Sequence, residues 1–189
     1  RKGVDTSANG IYWVEVLDKL RGKVIIRNTP ENSKKAIPQF NGAIEEKYLY
    51  PLVRGKDIHK WKYVTPYKVI IPYEENIKKP VSKDTLQSES ENLYKYFYDS
   101  NFNPNSEMFL QILTSRGIYK KHYENVNVPE YVLYNIGEYT SAPYKVVWKA
   151  LASKGMEACV ISSEKGKLII PDHNNVMVPF EDREEAYYF

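Results

Sequence analysis

The chain has 189 residues, 42% of them hydrophobic, enough for one good-sized core in a single domain, and 27 Lys and Arg against 24 Asp and Glu leave a net charge of only +3. No run approaches the roughly 20 apolar residues of a membrane-spanning helix, and no basic start leads into a signal-peptide core. The lone Cys159 excludes a disulfide framework or a cysteine zinc site, so the expectation is a soluble, cytoplasmic chain with Cys159 as a buried structural thiol.

Charge is distributed unevenly. Residues 51–70 hold Arg54, Lys56, Lys60, Lys62 and Lys68 against Asp57 alone, whereas 171–189 holds five acids against Arg183. Seventeen aromatics are tyrosines, several beside cations, as in Tyr119-Lys120-Lys121-His122-Tyr123 and Tyr144-Lys145. That pairing suits phosphate contact with base stacking, but tyrosine is also favoured in strands and at protein interfaces. The chain starts at Arg1 rather than Met and stops just inside a helical pattern at 181–189, as expected of a piece of a longer protein.

In chain order, 11–17 and 23–27 read as two strands joined by a Gly-containing loop. Ile44, Tyr48 and Leu52 recur every four residues and suggest helical turns over 43–52. Residues 67–73 read as a strand that Pro72 ends. The stretch 78–91 is polar enough for a mobile loop, and Ser82 or Asp84 can cap a helix carrying Leu86, Leu93, Tyr96 and Phe97 to about Ser100. A turn at 101–105 precedes a second helix, capped by Ser106, carrying Met108, Phe109, Ile112 and Leu113, and stopped by Gly117. Strands return at 131–136, 144–149, 156–162, 167–170 and 175–179, with connections too short for crossover helices. The expected class is α+β, with largely antiparallel sheet and a helical insertion at about 82–117 as a sub-lobe of the single domain 1–189.

The residues that chemistry would require are missing. An amino-methylating DNA enzyme needs an (Asn, Asp or Ser)-Pro-Pro-(Tyr or Phe) loop to hold a flipped base, but the only Asn-Pro is Asn103-Pro104, followed by Asn105. No glycine-rich cofactor loop opens a helix. Pro171-Asp172 supplies half of a nuclease pattern, yet no lysine follows Lys167. His59, His122 and His173 show no metal-ligand spacing, and Asp172-His173 lacks a nucleophile-elbow serine or cysteine, so both acid and imidazole read as structural. The chain is expected to hold no catalytic residue, no metal and no cofactor.

The stretch Tyr50-Pro51-Leu52-Val53-Arg54-Gly55-Lys56-Asp57-Ile58-His59-Lys60-Trp61 resembles the Tyr-Pro-Leu-Leu-Arg-Gly-(Arg/Lys)-Asp-Ile-x-x-Trp signature of TaqI-like C-terminal specificity domains. Three further segments follow that family's order: 9–16 (NGIYWVEV) is similar to its opening strand, 142–148 (APYKVVW) to its central strand, and 171–179 (PDHNNVMVP) with 185–188 (EAYY) to its closing strand and helix. Together they span nearly the whole chain. The resemblance implies the target-recognition domain of a prokaryotic adenine-specific DNA methyltransferase or fused type IIG restriction-modification enzyme. Such a domain binds double-stranded DNA and reads bases mainly in the major groove. An N-terminal methyltransferase module of the same parent chain would use S-adenosylmethionine.

A motif shared by readers of different sequences is not the part that varies with sequence. Arg54 and Asp57 are therefore expected to form a loop-shaping ion pair, and Trp61 to pack in the core. Lys56, Lys60 and Lys62 are the phosphate candidates. Arg116, Tyr119, Lys120 and Lys121 have the reach to read bases, or form a solvated charged face. Lys145 and Lys149 alternate with Tyr144, Val146 and Trp148, so that one strand face can bury while the other meets DNA. The alternative function is a protein-interaction module that docks another subunit through its tyrosine-rich surface.

Overall fold

A computed structural model describes residues 1–75, 77–123, 128–151, 155–164 and 166–189. The side chains of His122 and Tyr123 lie outside the described part of the molecule.

After one helical turn, α1 (Asn9–Tyr12), the strands β1 (Trp13–Leu20) and β2 (Lys23–Asn28) form the expected hairpin. The chain reverses at Gly22, whose φ of +75° is a left-handed conformation open to glycine at no steric cost. Along β2 every second residue, Val24, Ile26 and Asn28, is buried, the signature of a half-buried strand.

Residues 43–52 are not helical. They divide between β3 (Asn41–Glu45) and β4 (Leu49–Val53), and Ile44, Tyr48 and Leu52 are all buried. A spacing of four is also a multiple of the strand period of two, so it does not separate the two states. The short strands β5 (Ile58–His59) and β6 (Lys62–Tyr63) follow, then β7 (Tyr67–Ile70).

Instead of a loop through 78–91, helix α2 (Lys83–Glu89) begins at Ser82, whose hydroxyl accepts the Thr85 N–H at 3.1 Å. Buried Ser90 breaks the expected single helix, and α3 (Glu91–Tyr98) continues beyond it. Helix α4 (Ser106–Ser115) starts with Asn105 in the cap position and stops before Gly117.

The remaining elements are α5 (Glu138–Ser141), β8 (Tyr144–Lys149), β9 (Ala158–Ile161), β10 (Ile170–Pro171), β11 (Asn175–Phe180) and α6 (Arg183–Tyr188). The expected strand at 131–136 is an irregular segment, buried at Tyr131, Val132 and Leu133. Its backbone is satisfied by the Leu133 N–H donating to the Tyr73 hydroxyl at 2.8 Å, and by an isolated bridge between Asp5 and Tyr134. The expected strand at 167–170 shrinks to β10.

Six strands form one sheet in the order β10-β4-β7-β1-β2-β3, antiparallel except for the parallel pair β10 and β4. A three-stranded antiparallel sheet, β11-β8-β9, and the hairpin β5-β6 complete an α+β architecture. Leu86, Leu93, Tyr96, Phe97, Phe109 and Leu113 from the helices share one core with Val14, Val24 and Ile26 of the large sheet. The helical segment thus rests on the core of that sheet rather than on one of its own. A second cluster, Val53, Ile58, Val147, Cys159, Ile161, Ile169 and Met177, lies under the small sheet. Burial there pushes the Cys159 thiol up to about 12.

Much of the tyrosine content serves these interiors. Tyr12, Tyr48, Tyr73, Tyr96 and Tyr131 are buried, and the Tyr96 and Tyr131 hydroxyls donate to the carbonyls of Ile11 and Val81, each at 2.7 Å.

The N-terminal segment ties the two sheets together. The Val4 N–H donates to the Pro171 carbonyl at 2.8 Å and the Gly3 N–H to that of Asn175 at 3.0 Å. A Cβ at Gly3 would collide with the carbonyl oxygens of Pro171 and Asp172. Gly3→Ala is expected to lower stability by about 1–3 kcal/mol, read as the shift of a urea unfolding midpoint.

Candidate nucleic-acid interface

Strand β4 leaves the large sheet at Val53 and enters a tight 3-10 turn, Gly55–Asp57. The turn is closed by side chains. The Arg54 guanidinium donates from Nε to Asp57 Oδ2 at 2.6 Å and from Nη2 to Oδ1 at 2.8 Å, while the Arg54 backbone N–H reaches Oδ2 at 3.0 Å. Both side chains are buried, and the guanidinium lies 4.2 Å from the Tyr67 ring centroid. Burial opposes the guanidinium charge, but the Asp57 carboxylate outweighs it and holds Arg54 above its ordinary range. The expected ion pair is present and shapes the loop.

The hairpin β5-β6 follows directly, with Lys60 and Trp61 as its two-residue tip. Ile58 is buried beneath it, the Val64 N–H donates to the Asp57 carbonyl at 3.1 Å, and the Trp61 N–H donates to the Ala158 carbonyl of β9 at 3.0 Å. The hairpin is thus held from both sides.

Trp61 does not pack in the core. It is 78% exposed, with a φ of +66°. At a two-residue tip there is no neighbouring layer to cover the indole, and a bulky residue in the left-handed region carries a strain of about 1–3 kcal/mol.

Lys56, His59, Lys60 and Lys62 are exposed around this tip, and none of these lysines has an ion-pair partner among the described residues. Lys149 lies beside the turn, its Cγ within 3.7 Å of where a Gly55 Cβ would sit, but its Nζ is paired with Glu157 at 2.6 Å. The ammonium in turn holds the Glu157 carboxyl below its usual range. Asn174 flanks the same turn at 3.9 Å.

The other sequence candidates separate from this group. Arg116 is buried, and its guanidinium donates to the carbonyls of Leu113 at 3.2 Å, Thr6 at 2.7 Å and Glu130, stitching α4 to two loops. It is a structural bolt and not a base reader. Lys145 is 1% exposed, with Nζ donating to the Ala142 carbonyl at 2.6 Å, and burial pushes it down to about 8. It faces the interior and not DNA. Half-buried Tyr119 and exposed Lys120 and Lys121 sit on a wide helical turn, Tyr119–Tyr123, that packs against α4 rather than against the small sheet.

A cleft of about 370 Å³ was not anticipated; Asn32, Lys34, Lys35, Ser115, Arg116 and His173 are among its lining residues. Lys35 Nζ donates across it to Ser115 Oγ at 3.3 Å. The Lys34-Lys35 pair in a loop bounded by Pro30 and Pro38 is the sequence signal that could have marked it. Asp172 is buried and accepts from the side chains of Asn174 at 3.1 Å and Asn175 at 3.0 Å; His173 shares no hydrogen bond with it or with a serine among the described residues. Among the described residues no group of three or more His, Cys, Asp and Glu is placed to hold a metal ion, and no helix is long and apolar enough to cross a membrane.

Compared with known proteins, the chain matches no family model and no curated sequence.

Two outcomes follow from these buried charges. Asp57→Asn leaves Arg54 buried without its counter-ion and is expected to cost about 3–5 kcal/mol in chemical denaturation, whereas replacing both partners by apolar residues costs much less. Lys145 titrates near 8 when folded and near 10.4 when unfolded. Between those values the unfolded chain binds more protons, so stability rises with pH. Wild type is expected to gain up to about 3 kcal/mol relative to Lys145→Met across that window and nothing below it, as measured by paired denaturation series.

Proposed function

We propose that the chain is a target-recognition domain that binds double-stranded DNA and directs adenine methylation by catalytic modules elsewhere on its parent polypeptide. The observation that carries this reading is the cluster of Lys56, Lys60 and Lys62, exposed and without acidic partners among the described residues, on a turn and hairpin locked by the buried Arg54–Asp57 pair. Free cations on a preorganised backbone suit phosphate contacts, which set register on a duplex. Of the acids on this turn and the neighbouring strands, Asp57 is engaged by Arg54 and Glu157 by Lys149, while Glu164 accepts from the Thr65 hydroxyl at 2.9 Å. Lys149 and exposed Asn174 border the same surface, and Asn is a residue type that pairs with adenine edges.

The resemblance of 50–61 to the TaqI-like specificity signature supports the same reading. On this reading an S-adenosylmethionine-dependent module would lie N-terminal in the parent, with or without an endonuclease, and the protein would work in the cytoplasm. The 119–121 turn is a separate candidate contact. A second reading, a protein-docking module, is favoured by exposed Tyr187, Tyr188 and Phe189 at the end of the chain.

Duplex affinity should fall steeply with salt. Replacing Lys56, Lys60 and Lys62 together by Ala is expected to flatten the slope of log K against log salt by roughly 2.7, as read by fluorescence anisotropy. No binding of any duplex at low ionic strength, together with an unchanged methylation target when the domain is deleted from the parent, would refute the proposal.

A further inference from the structure

Trp61 combines two features that folding does not explain. The indole is the most exposed of the three tryptophans, and it occupies a position of positive φ where a hairpin tip favours glycine or asparagine. A sequence that breaks the local rule and leaves its largest apolar side chain in water retains it for what that side chain touches. The tip is also rigid, since Ile58 is buried below it and the Trp61 N–H is bonded to Ala158 at 3.0 Å.

We propose that Trp61 is a stacking wedge, its indole packing against a nucleobase at a locally opened step of duplex DNA while Lys60 and Lys62 hold the adjoining phosphates. The inference rests on the reading of the chain as a DNA-binding domain. Aromatic side chains stack on any base, because every base presents a π face, and a two-torsion indole loses little freedom on doing so. Apolar side chains inserted at a base step are a known means of opening and kinking a duplex. The charge around the indole selects this occupant over a protein. Tryptophan is enriched at protein interfaces, but lysine is depleted there, and here the exposed Lys60 and Lys62 flank Trp61 in the hairpin and exposed Lys56 precedes it in the turn, while Asp57 and Glu157 are each engaged by a cation.

The test uses the 189-residue chain with Trp61→Gly, which relieves the strained φ, and Trp61→Phe, which keeps an aromatic face. The probes are a short mixed-sequence duplex, the same duplex with one mismatch, and a version carrying 2-aminopurine. Wild type is expected to prefer the mismatched duplex, whose opening costs less, and to raise 2-aminopurine fluorescence. Trp61→Gly should keep the salt slope but lose about 5- to 150-fold in affinity, together with the mismatch preference and the fluorescence rise, with Trp61→Phe retaining most of each. If Trp61→Gly binds both duplexes as wild type does, with the same fluorescence, the wedge is wrong while DNA binding stands. If wild type binds no duplex at low ionic strength, the underlying reading falls instead. Self-association of wild type that disappears in Trp61→Gly, without duplex binding, would reassign the indole to a second copy of the chain.

Discussion

The turn that leads from the large sheet into the hairpin is held by one buried ion pair. Arg54 and Asp57 lie three residues apart, closed by two side-chain bonds of 2.6 and 2.8 Å and by a third from the backbone N–H of Arg54. A buried pair of this kind is seldom a net gain over apolar residues of the same volume, because desolvation of both charges offsets their attraction. What it supplies is geometry. Separating the two buried charges would leave each without its counter-ion, which disfavours other conformations of the turn 55–57. Tyr67 against the guanidinium extends the constraint to β7.

That turn also joins the two interiors. Val53 belongs to the core under the small sheet although its strand, β4, runs in the large one. Its carbonyl accepts both the Asp172 N–H at 2.9 Å and the Asn175 side-chain amide at 2.8 Å, so β10, β11 and the start of the hairpin meet at one acceptor. The aliphatic stem of Lys149 and the side chain of Asn174 come to the same turn from β8 and from the loop before β11. A small hairpin with two residues per strand has little stability of its own. Here it inherits the rigidity of both cores.

The fold class was legible from strand-length apolar runs and their short connections, and β8 falls on residues 144–149 as read from alternation. The Arg54–Asp57 pair was legible through the resemblance, because a motif shared by readers of different sequences is not the part that varies with sequence; the ion pair itself is present. Parity, by contrast, misled in two places. The repeat of Ile44, Tyr48 and Leu52 fits helix and strand alike. In β8 the face shared by Lys145 and Val147 is the one that buries, because the ammonium finds the Ala142 carbonyl; alternation reveals two faces without saying which is inside. Tyrosine count misled for a related reason: buried hydroxyls that reach carbonyls are as compatible with a core as exposed ones are with a ligand. Trp61 was illegible because hydrophobicity predicts burial, and only the hairpin geometry places the residue at a tip.

Six of the chain's cations fall into two groups that sequence alone does not distinguish. Arg54, Arg116 and Lys145 are buried, and each is directed at carbonyl or carboxylate oxygens of the fold. Lys56, Lys60 and Lys62 are exposed on the element that one of those buried cations locks. Arg54 and Lys56 are only two residues apart, yet one builds the platform and the other stands on it. A charged group bound to a rigid frame loses less freedom on meeting a phosphate than one on a mobile arm. If the exposed lysines meet phosphates as proposed, the buried Arg54 acts on that contact only through the turn it locks.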